Sequence, residues 1–367
     1  MSHRIITWLV RILIAFDNPH IHTRMPVIGG INFPVQTQGR CWELLIRSIS
    51  TPPGYPWLAE AIEAGFLHCV LKSAAENRNL KHVKIFLSSI LPFGFISSSV
   101  LTQLKTGLIQ DLADSPQLTA SSSFELWKGV ASVANTRIAV LDAWETAGRH
   151  SSLACDNMQC GRIEAKRKFK CCAGCRGANY CSAECQSVDW QDGHQLVCDD
   201  LRAVRFRYPE LVHPRERSFM HALTHHDYQC FLFQISFEQV MFMRDHPGDD
   251  LIVVFDYTKA TGVEFKVDPR ARLPGNADLA AELPVQWVRH ARSGGRMGLH
   301  VMFVGEACEC KARLFLLRAS SAVFQFGLKV LARSTMFPPD SADEQLHDKH
   351  GVSALIEKTK GRFTEIH

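Results

Sequence analysis

The sequence predicts an α+β protein in several folded parts, and three observations carry that reading. Apolar residues recur at helical spacing through the first 150 residues, cysteines crowd at short intervals between Cys155 and Cys198, and β-branched runs first appear after Leu251. The expected organisation is a helical region over 1–150, a small metal-stapled segment over 151–201, an α+β region over 202–337 and a polar tail over 338–367.

The helical region reads as a solenoid or an irregular bundle, without a clean repeat period. Ile5 to Phe16 is largely apolar, but Arg11 interrupts it and it is far shorter than the ~20 residues that span a bilayer. A buried first helix is expected there, not a signal or an anchor, and no membrane role. Leu58, Ile62 and Phe66 fall at four-residue steps behind Pro52, Pro53 and Pro56, which suit a helix entry. Val83, Phe86, Leu87, Ile90 and Leu91 form a second face, stopped by Pro92. Further helices are expected from Val100 to Leu112 and from Phe124 to Trp144, the latter behind serines able to cap it. Gly148 to Ser152 reads as a joint.

After the cysteine-rich segment, Glu216 to Arg244 is helical by pattern. Leu251–Tyr257 and Val263–Val267 read as a β-hairpin around Gly262, with further strands at Leu299–Val304 and Arg313–Arg318. Val323 to Arg333 reads as a helix, and the residues from Pro338 as a loose tail with one short helix.

The chemistry concentrates in the cysteines. Cys155-x4-Cys160, Cys172-x2-Cys175, Cys181-x3-Cys185 and His194-x3-Cys198 are four pairs, each spaced to grip half of one ion. Zn²⁺ takes four sulfur or nitrogen ligands in a tetrahedron, so four pairs complete two closed sites. Cys171 stands beside Cys172 and leaves two ways to write the second pair. Cys172 keeps the two-residue spacing and has Gly174 where a tight turn is needed, so it is taken as the ligand and Cys171 as a spare thiol. Four thiolates leave one site at a formal −2, and three thiolates with a neutral imidazole leave the other at −1. Arg162, Lys166, Arg167, Lys168 and Lys170 lie close by in sequence, either as compensating charge or as a solvated run.

The surrounding residues narrow the class. Tyr180 precedes Cys181, Gln186 follows Cys185, and Asp189-Trp190 leads into Gly193-His194; with the four pairs, this resembles the MYND-type zinc finger. The resemblance implies interleaved pairing, with Cys155, Cys160, Cys181 and Cys185 on one structural zinc and Cys172, Cys175, His194 and Cys198 on the other. The Trp190-to-His194 spacing is one residue longer than in many animal fingers and matches the fungal variety better. The resemblance further implies protein partners, with Gln186 and Trp190 lining a shallow groove for proline-containing peptides. Ala173 stands where many such fingers carry a small polar residue.

Composition limits the other classes. The net charge of +4 is spread thinly: Lys and Arg against Asp and Glu number 13 to 10 over 1–150, 6 to 7 over 151–200 and 22 to 20 thereafter. No segment has the basic excess of a nucleic-acid patch, which disfavours a DNA-contacting transcription regulator. Thiolate ligands need a reducing compartment, so cytoplasm or nucleus is expected. MYND fingers also occur in SET-type lysine methyltransferases, but this chain has no Asn-His dipeptide, and Gly305-Glu306 continues to Ala307. A non-enzymatic interaction protein is therefore the expectation, with an enzyme whose active site lies in 201–367 as the alternative. Two clusters remain: His221, His225, His226 and Asp227, where the i, i+4 histidines could bind metal but read as solvated or core-satisfied, and Cys308-x-Cys310, which reads as a coincidental pair of thiols near an exposed turn rather than a redox or metal pair.

Overall fold

The computed structural model describes residues 4–16, 27–28, 31–51, 54–107, 116–147, 152–207, 213–269, 277–306, 309–334, 342–362 and 364–367. They divide into two compact units. The first comprises Met1–Ala143, Tyr257–Val263 and Val304–Lys311; the second comprises Trp144–Asp256, Glu264–Phe303 and Ala312–His367.

The first unit is helical. Helix α1 (Ile5–Phe16) precedes a two-residue antiparallel pair, β1 (Val27–Ile28) and β2 (Ile31–Asn32), and then α2 (Phe33–Ile49), α3 (Tyr55–Glu63) and α4 (Phe66–Ala75). Helix α5 (Leu80–Ile85) continues through a π-turn (Phe86–Ile90) and a 3₁₀ turn (Pro92–Ile96) into α6 (Ser98–Gly107), followed by α7 (Pro116–Thr119) and α8 (Phe124–Thr146). Pro92 ends the apolar run because it cannot donate into a continuing helix. The expected helix from Val100 is α6; residues 108–112 of that stretch, and 148–151 of the expected joint, lie outside the described residues. The core forms where Trp42, Phe66 and Phe86 meet, with centroids 5.0 Å apart in each of the two pairs. Each such buried ring contributes roughly 2–3 kcal/mol. Helix α2 carries Trp42 and was not anticipated; Pro34 and Gly39 obscure its period. Helix α1 buries Ile6, Val10, Leu13 and Phe16 but leaves Ile5, Trp8 and Ile12 exposed, so it is only half the buried helix the sequence suggests.

The second unit opens with four short strands, β3 (Ser152–Ala154), β4 (Ile163–Ala165), β5 (Lys170–Cys171) and β6 (Asn179–Tyr180). Helix α9 (Ala183–Asp189), a π-turn (Trp190–His194) and α10 (Gln195–Arg207) complete the cysteine-rich segment. Helices α11 (Pro214–Cys230) and α12 (Leu232–Asp245) split the expected single stretch at Phe231.

A five-stranded sheet follows, built from β7 (Leu251–Asp256), β8 (Glu264–Pro269), β9 (Met297–Glu306), β10 (Glu309–Ala319) and β11 (Glu365–Ile366) in the order β11-β10-β9-β7-β8. The expected hairpin is present as antiparallel β7–β8, whereas β7 and β9 are parallel, with Val253 opposite His300. A parallel pair needs a long crossover. Helix α13 (Ala277–Arg292), hidden in the sequence by Pro284, occupies it. Leu279 of α13 packs with Ile252, Val254, Leu299 and Val301 on one sheet face. The other face meets α11, where Tyr228 and Phe255 flank His300 at 5.3 and 5.6 Å.

The end of the chain is not the loose tail its polarity suggests. Helix α15 (Ala342–Thr359) packs with α12 and α14 (Val323–Arg333) around Val240, Phe324, Leu328 and Val352. Asp348, buried on α15, accepts from both terminal nitrogens of Arg244 at 2.6 and 3.0 Å, and Arg244 also donates to the Leu331 carbonyl at 3.2 Å. This buried charge pair anchors a helix whose outer face is polar.

Candidate metal centre

Each ligand pair sits on a local structure that aims two side chains at one point. Cys155 and Cys160 occupy the turn between β3 and β4: Cys155 N–H donates to the Arg162 carbonyl at 2.8 Å, and Cys160 N–H to the Asn157 carbonyl at 3.0 Å. Cys172 and Cys175 form a knuckle after β5, closed by Cys172 N–H to the Ala178 carbonyl and Arg176 N–H to the Cys172 carbonyl, both 2.8 Å. A Cβ on Gly174 would stand 3.1 Å from the Cys198 sulfur, so a larger residue would press on a ligand. Cys181 and Cys185 lie one turn apart at the start of α9, where the Ser182 hydroxyl accepts from Cys185 N–H at 3.2 Å as an N-cap. His194 and Cys198 repeat that one-turn spacing into α10.

The extra residue between Trp190 and His194 is absorbed by the π-turn, a one-residue bulge in a helical path. Gly193 takes φ of +117° there, a conformation that side-chain-bearing residues rarely adopt.

The ligands converge in two groups of four, Cys155, Cys160, Cys181 and Cys185, and Cys172, Cys175, His194 and Cys198, with ligand atoms in each group within 4.8 Å of one another. Sulfurs at about 2.3 Å from a tetrahedral zinc stand about 3.8 Å apart, and a sulfur and an imidazole nitrogen about 3.5 Å apart. The Cys160–Cys181 and Cys181–Cys185 sulfurs are separated by 3.6 and 3.5 Å, the Cys172–Cys198 sulfurs by 3.9 Å, and the Cys175 sulfur lies 3.7 Å from His194 Nε2. Disulfides would require sulfurs about 2.05 Å apart. The donor set therefore fits two zinc ions with every position filled by protein. Cys172 is in the second group; Cys171 is exposed outside it.

The protonation chemistry agrees. Burial pushes the Cys155 thiol far above its ordinary range and Cys198 up to about 12, so these sulfurs become thiolates with a cation beside them. Burial also opposes charge on Cys172, but N–H groups of Cys175 and Gly174 aimed at its sulfur prevail and hold it below the usual value. Burial keeps His194 below its ordinary value and hence neutral, the form that ligates. Its Nδ1 faces the buried Asp189 carboxylate at 3.7 Å, and that carboxylate accepts from the Tyr180 hydroxyl at 2.7 Å and Arg292 at 3.4 Å. A carboxylate behind a ligating imidazole fixes its tautomer and raises its basicity.

Of the two readings of the basic run, the solvated one holds, and the charge near the sites comes from elsewhere. Arg162 and Lys168 are more than half exposed and pair with Glu164, so that basic run is solvated. The buried cations are Arg289 of α13 and Arg318 of β10. Both donate to Asp156 Oδ1, Arg318 at 2.8 Å, and Arg318 also donates to the Cys155 carbonyl at 2.7 Å. Asp156 Oδ2 accepts from Asn179 N–H at 2.5 Å, tying the first knuckle to β6. Burial alone would raise the Asp156 carboxyl, yet Arg289, Arg318 and Asn179 hold it below the ordinary carboxylate range. The cysteine-rich segment lies in the same compact unit as most of the α+β region.

Gln186 is half-buried on α9, and Trp190 is 43% exposed with its ring 5.7 Å from that of His194. The other clusters resolve differently. His225 and His367 approach at 3.2 Å and His367 and His300 at 2.6 Å, forming a hydrogen-bonded row of imidazoles that sequence reasoning missed because His300 and His367 lie far from α11. Among the described residues these do not form a group of three or more ligand atoms able to hold a metal. Cys308 lies outside the described residues and Cys310 is exposed. A cavity of about 250 Å³ lined by Ile62, His68 and Gln103 lies in the first unit, outside the 201–367 region where an active site was the alternative.

Two interleaved tetrahedral sites within 44 residues define a cross-braced two-zinc finger. Residues 155–198 match the MYND finger family, so this segment is a MYND finger, a zinc-binding protein–protein interaction module. Relatives share limited stretches. A ubiquitin carboxyl-terminal hydrolase 19 of Arabidopsis thaliana is 36% identical over 55 residues, 15% of this chain and 8% of that protein. Two F-box proteins of the same plant are 35% identical over 66 residues (17% of this chain, 20% of theirs) and 42% identical over 45 residues (12% of each). The chain therefore spans a fifth or less of the length of these relatives. No solved structure matches.

Proposed function

We propose that this chain is a non-enzymatic intracellular adaptor whose MYND finger docks partners by taking proline-containing peptide segments against Trp190 and Gln186. The observation that carries the reading is the placement of Trp190: a large indole left 43% exposed while its ring is braced by His194, a ligand of the second site. A side chain held by a metal ligand loses little entropy on binding, and its open surface suits a proline ring. Gln186, one helical turn earlier on α9, supplies an amide that pairs with the backbone of an extended peptide. Ala173 offers no hydrogen bond, so recognition rests on these two residues. Coordination filled by protein ligands supports structural zincs, since a catalytic zinc keeps an open position. That a hydrolase and F-box proteins share short stretches with this chain is consistent with a portable docking element on unrelated bodies.

The test is calorimetric titration of proline-rich peptides into wild type and Trp190→Ala, with zinc content measured for both. Loss of roughly tenfold or more in affinity at unchanged zinc content is expected. Equal affinities would remove the groove, and unchanged capture of partners by a Cys181→Ser chain would remove the finger as the docking element.

A further inference from the structure

Helix α1 carries two apolar rows, and only one is used by the fold. Ile6, Val10, Leu13 and Phe16 are buried, and the helix is pinned to α3 by Thr7, whose N–H and hydroxyl both donate to Glu60 Oε1 at 3.0 and 2.7 Å. The other row faces outward: Ile5 is 60% exposed, Trp8 63% and Ile12 39%, and Ile14, 44% exposed, lies beyond the arginines. At 3.6 residues per turn, Ile5 and Ile12 lie on one flank of Trp8 while Arg4 and Arg11, both exposed, lie on the other. The Arg11 guanidinium sits over the Trp8 ring, 5.8 Å from its centroid. Residues 4–16 contain no acidic side chain.

We propose that this outer face of α1 binds the surface of an anionic lipid bilayer. The order of side chains across the helix matches the depth profile of a membrane interface: isoleucines at the acyl boundary, an indole at headgroup level, and arginines reaching toward phosphate. Twelve apolar-rich residues are too few to cross, and no single helix among the described residues is long and apolar enough to do so. The helix lies in the interface plane. The inner row stays docked, so binding needs no unfolding. A protein partner fits less well, because four apolar side chains on one helix present far less than the roughly 800 Å² per partner that a stable interface buries. The basic flank supplies the charge complementarity that selects anionic over neutral lipid.

The experiment is co-sedimentation of the zinc-loaded full chain with vesicles of phosphatidylcholine alone or mixed with phosphatidylserine. With about fivefold per arginine, the two should give a roughly thirtyfold preference for the anionic vesicles, falling as salt is raised. Trp8→Ser and Ile12→Ser should lower binding to both vesicles about tenfold or more, and the Arg4→Gln, Arg11→Gln pair should remove the preference. These side chains face solvent, so circular dichroism and zinc content should stay as in wild type. Absence of binding, or equal binding to both vesicles, would overturn the proposal. So would a wild-type self-association that Trp8→Ser abolishes while leaving vesicle binding unchanged, which would assign the face to a second copy. The result is independent of the finger, since Trp190→Ala leaves α1 untouched.

Discussion

Replacing Asp156 by alanine should unfold the zinc finger from its support more effectively than its size suggests. Its carboxylate receives Arg289 and Arg318 on one oxygen and Asn179 N–H on the other, and the three charged side chains are 9%, 7% and 12% exposed. Without it, Arg289 keeps Gln286 and Arg318 keeps the Cys155 carbonyl, both neutral acceptors. Two buried cations would then lack a counter-charge, and stranding one buried partner costs about 3–5 kcal/mol. Against a typical total of about 5–15 kcal/mol, that loss is large. Asp156→Asn should be nearly as damaging, because its NH₂ must face either the arginines or the Asn179 N–H, all donors. Removing one stranded cation as well, in Asp156→Ala with Arg289→Met, should recover part of the loss. Urea denaturation of the zinc-loaded chain, followed by release of zinc to a colorimetric chelator, measures wild type, these three variants and Arg289→Met alone, which completes the cycle. A loss under about 1 kcal/mol for Asp156→Ala, or strict additivity in the double variant, would refute the reasoning.

Other outcomes follow from the same geometry. Three of the four ligands of the first site are half-buried while all four of the second are buried, so a chelator should strip zinc in two phases, with Cys181→Ser removing the faster one. Cys171→Ser should keep both zincs and Cys172→Ser should lose one, by mass-spectrometric metal counting. Burial lowers His221 and His300 to about 3, and lowers His225 and His367 as well, so the unfolded chain binds more protons than the folded one below about pH 6.5. Their contribution is whole above that pH and is lost on acidification, by about 1.4 kcal/mol per pH unit for His221 and again for His300. Glu365, raised by burial to about 7, works in the opposite sense between about pH 4.3 and 7 and offsets one of them. Denaturation of wild type and His300→Gln at several pH values should show the variant's pH slope reduced by about that amount per unit; equal slopes would contradict the burial of a neutral imidazole.

The finger was legible in the sequence because metal ligation demands particular side chains at short separations, and four such pairs constrain each other. Strands β7 to β10 and helices α8 and α14 were legible for a related reason, since their apolar periods are local. Asp156 was not, because its arginines lie 133 and 162 residues away and carry no pattern that joins them to a cysteine. Helix α13 hid behind Pro284, and α15 behind a polar surface whose one buried charge, Asp348, pairs with Arg244 at a separation of 104 residues. The row of His225, His367 and His300 likewise depends on β11 closing the sheet edge beside β10, a pairing set by the tertiary fold. The extra residue before His194 was visible as a spacing, but its accommodation in a π-turn with Gly193 at positive φ required the backbone.

Zinc K-edge X-ray absorption on the purified full chain, with metal quantified in the same sample, interrogates the coordination on which everything else stands. Two zincs per chain are expected, sharing seven sulfurs at about 2.3 Å and one imidazole nitrogen at about 2.0 Å between them. Fewer than two ions, or a shell in which water or other oxygen ligands replace sulfur, would contradict it.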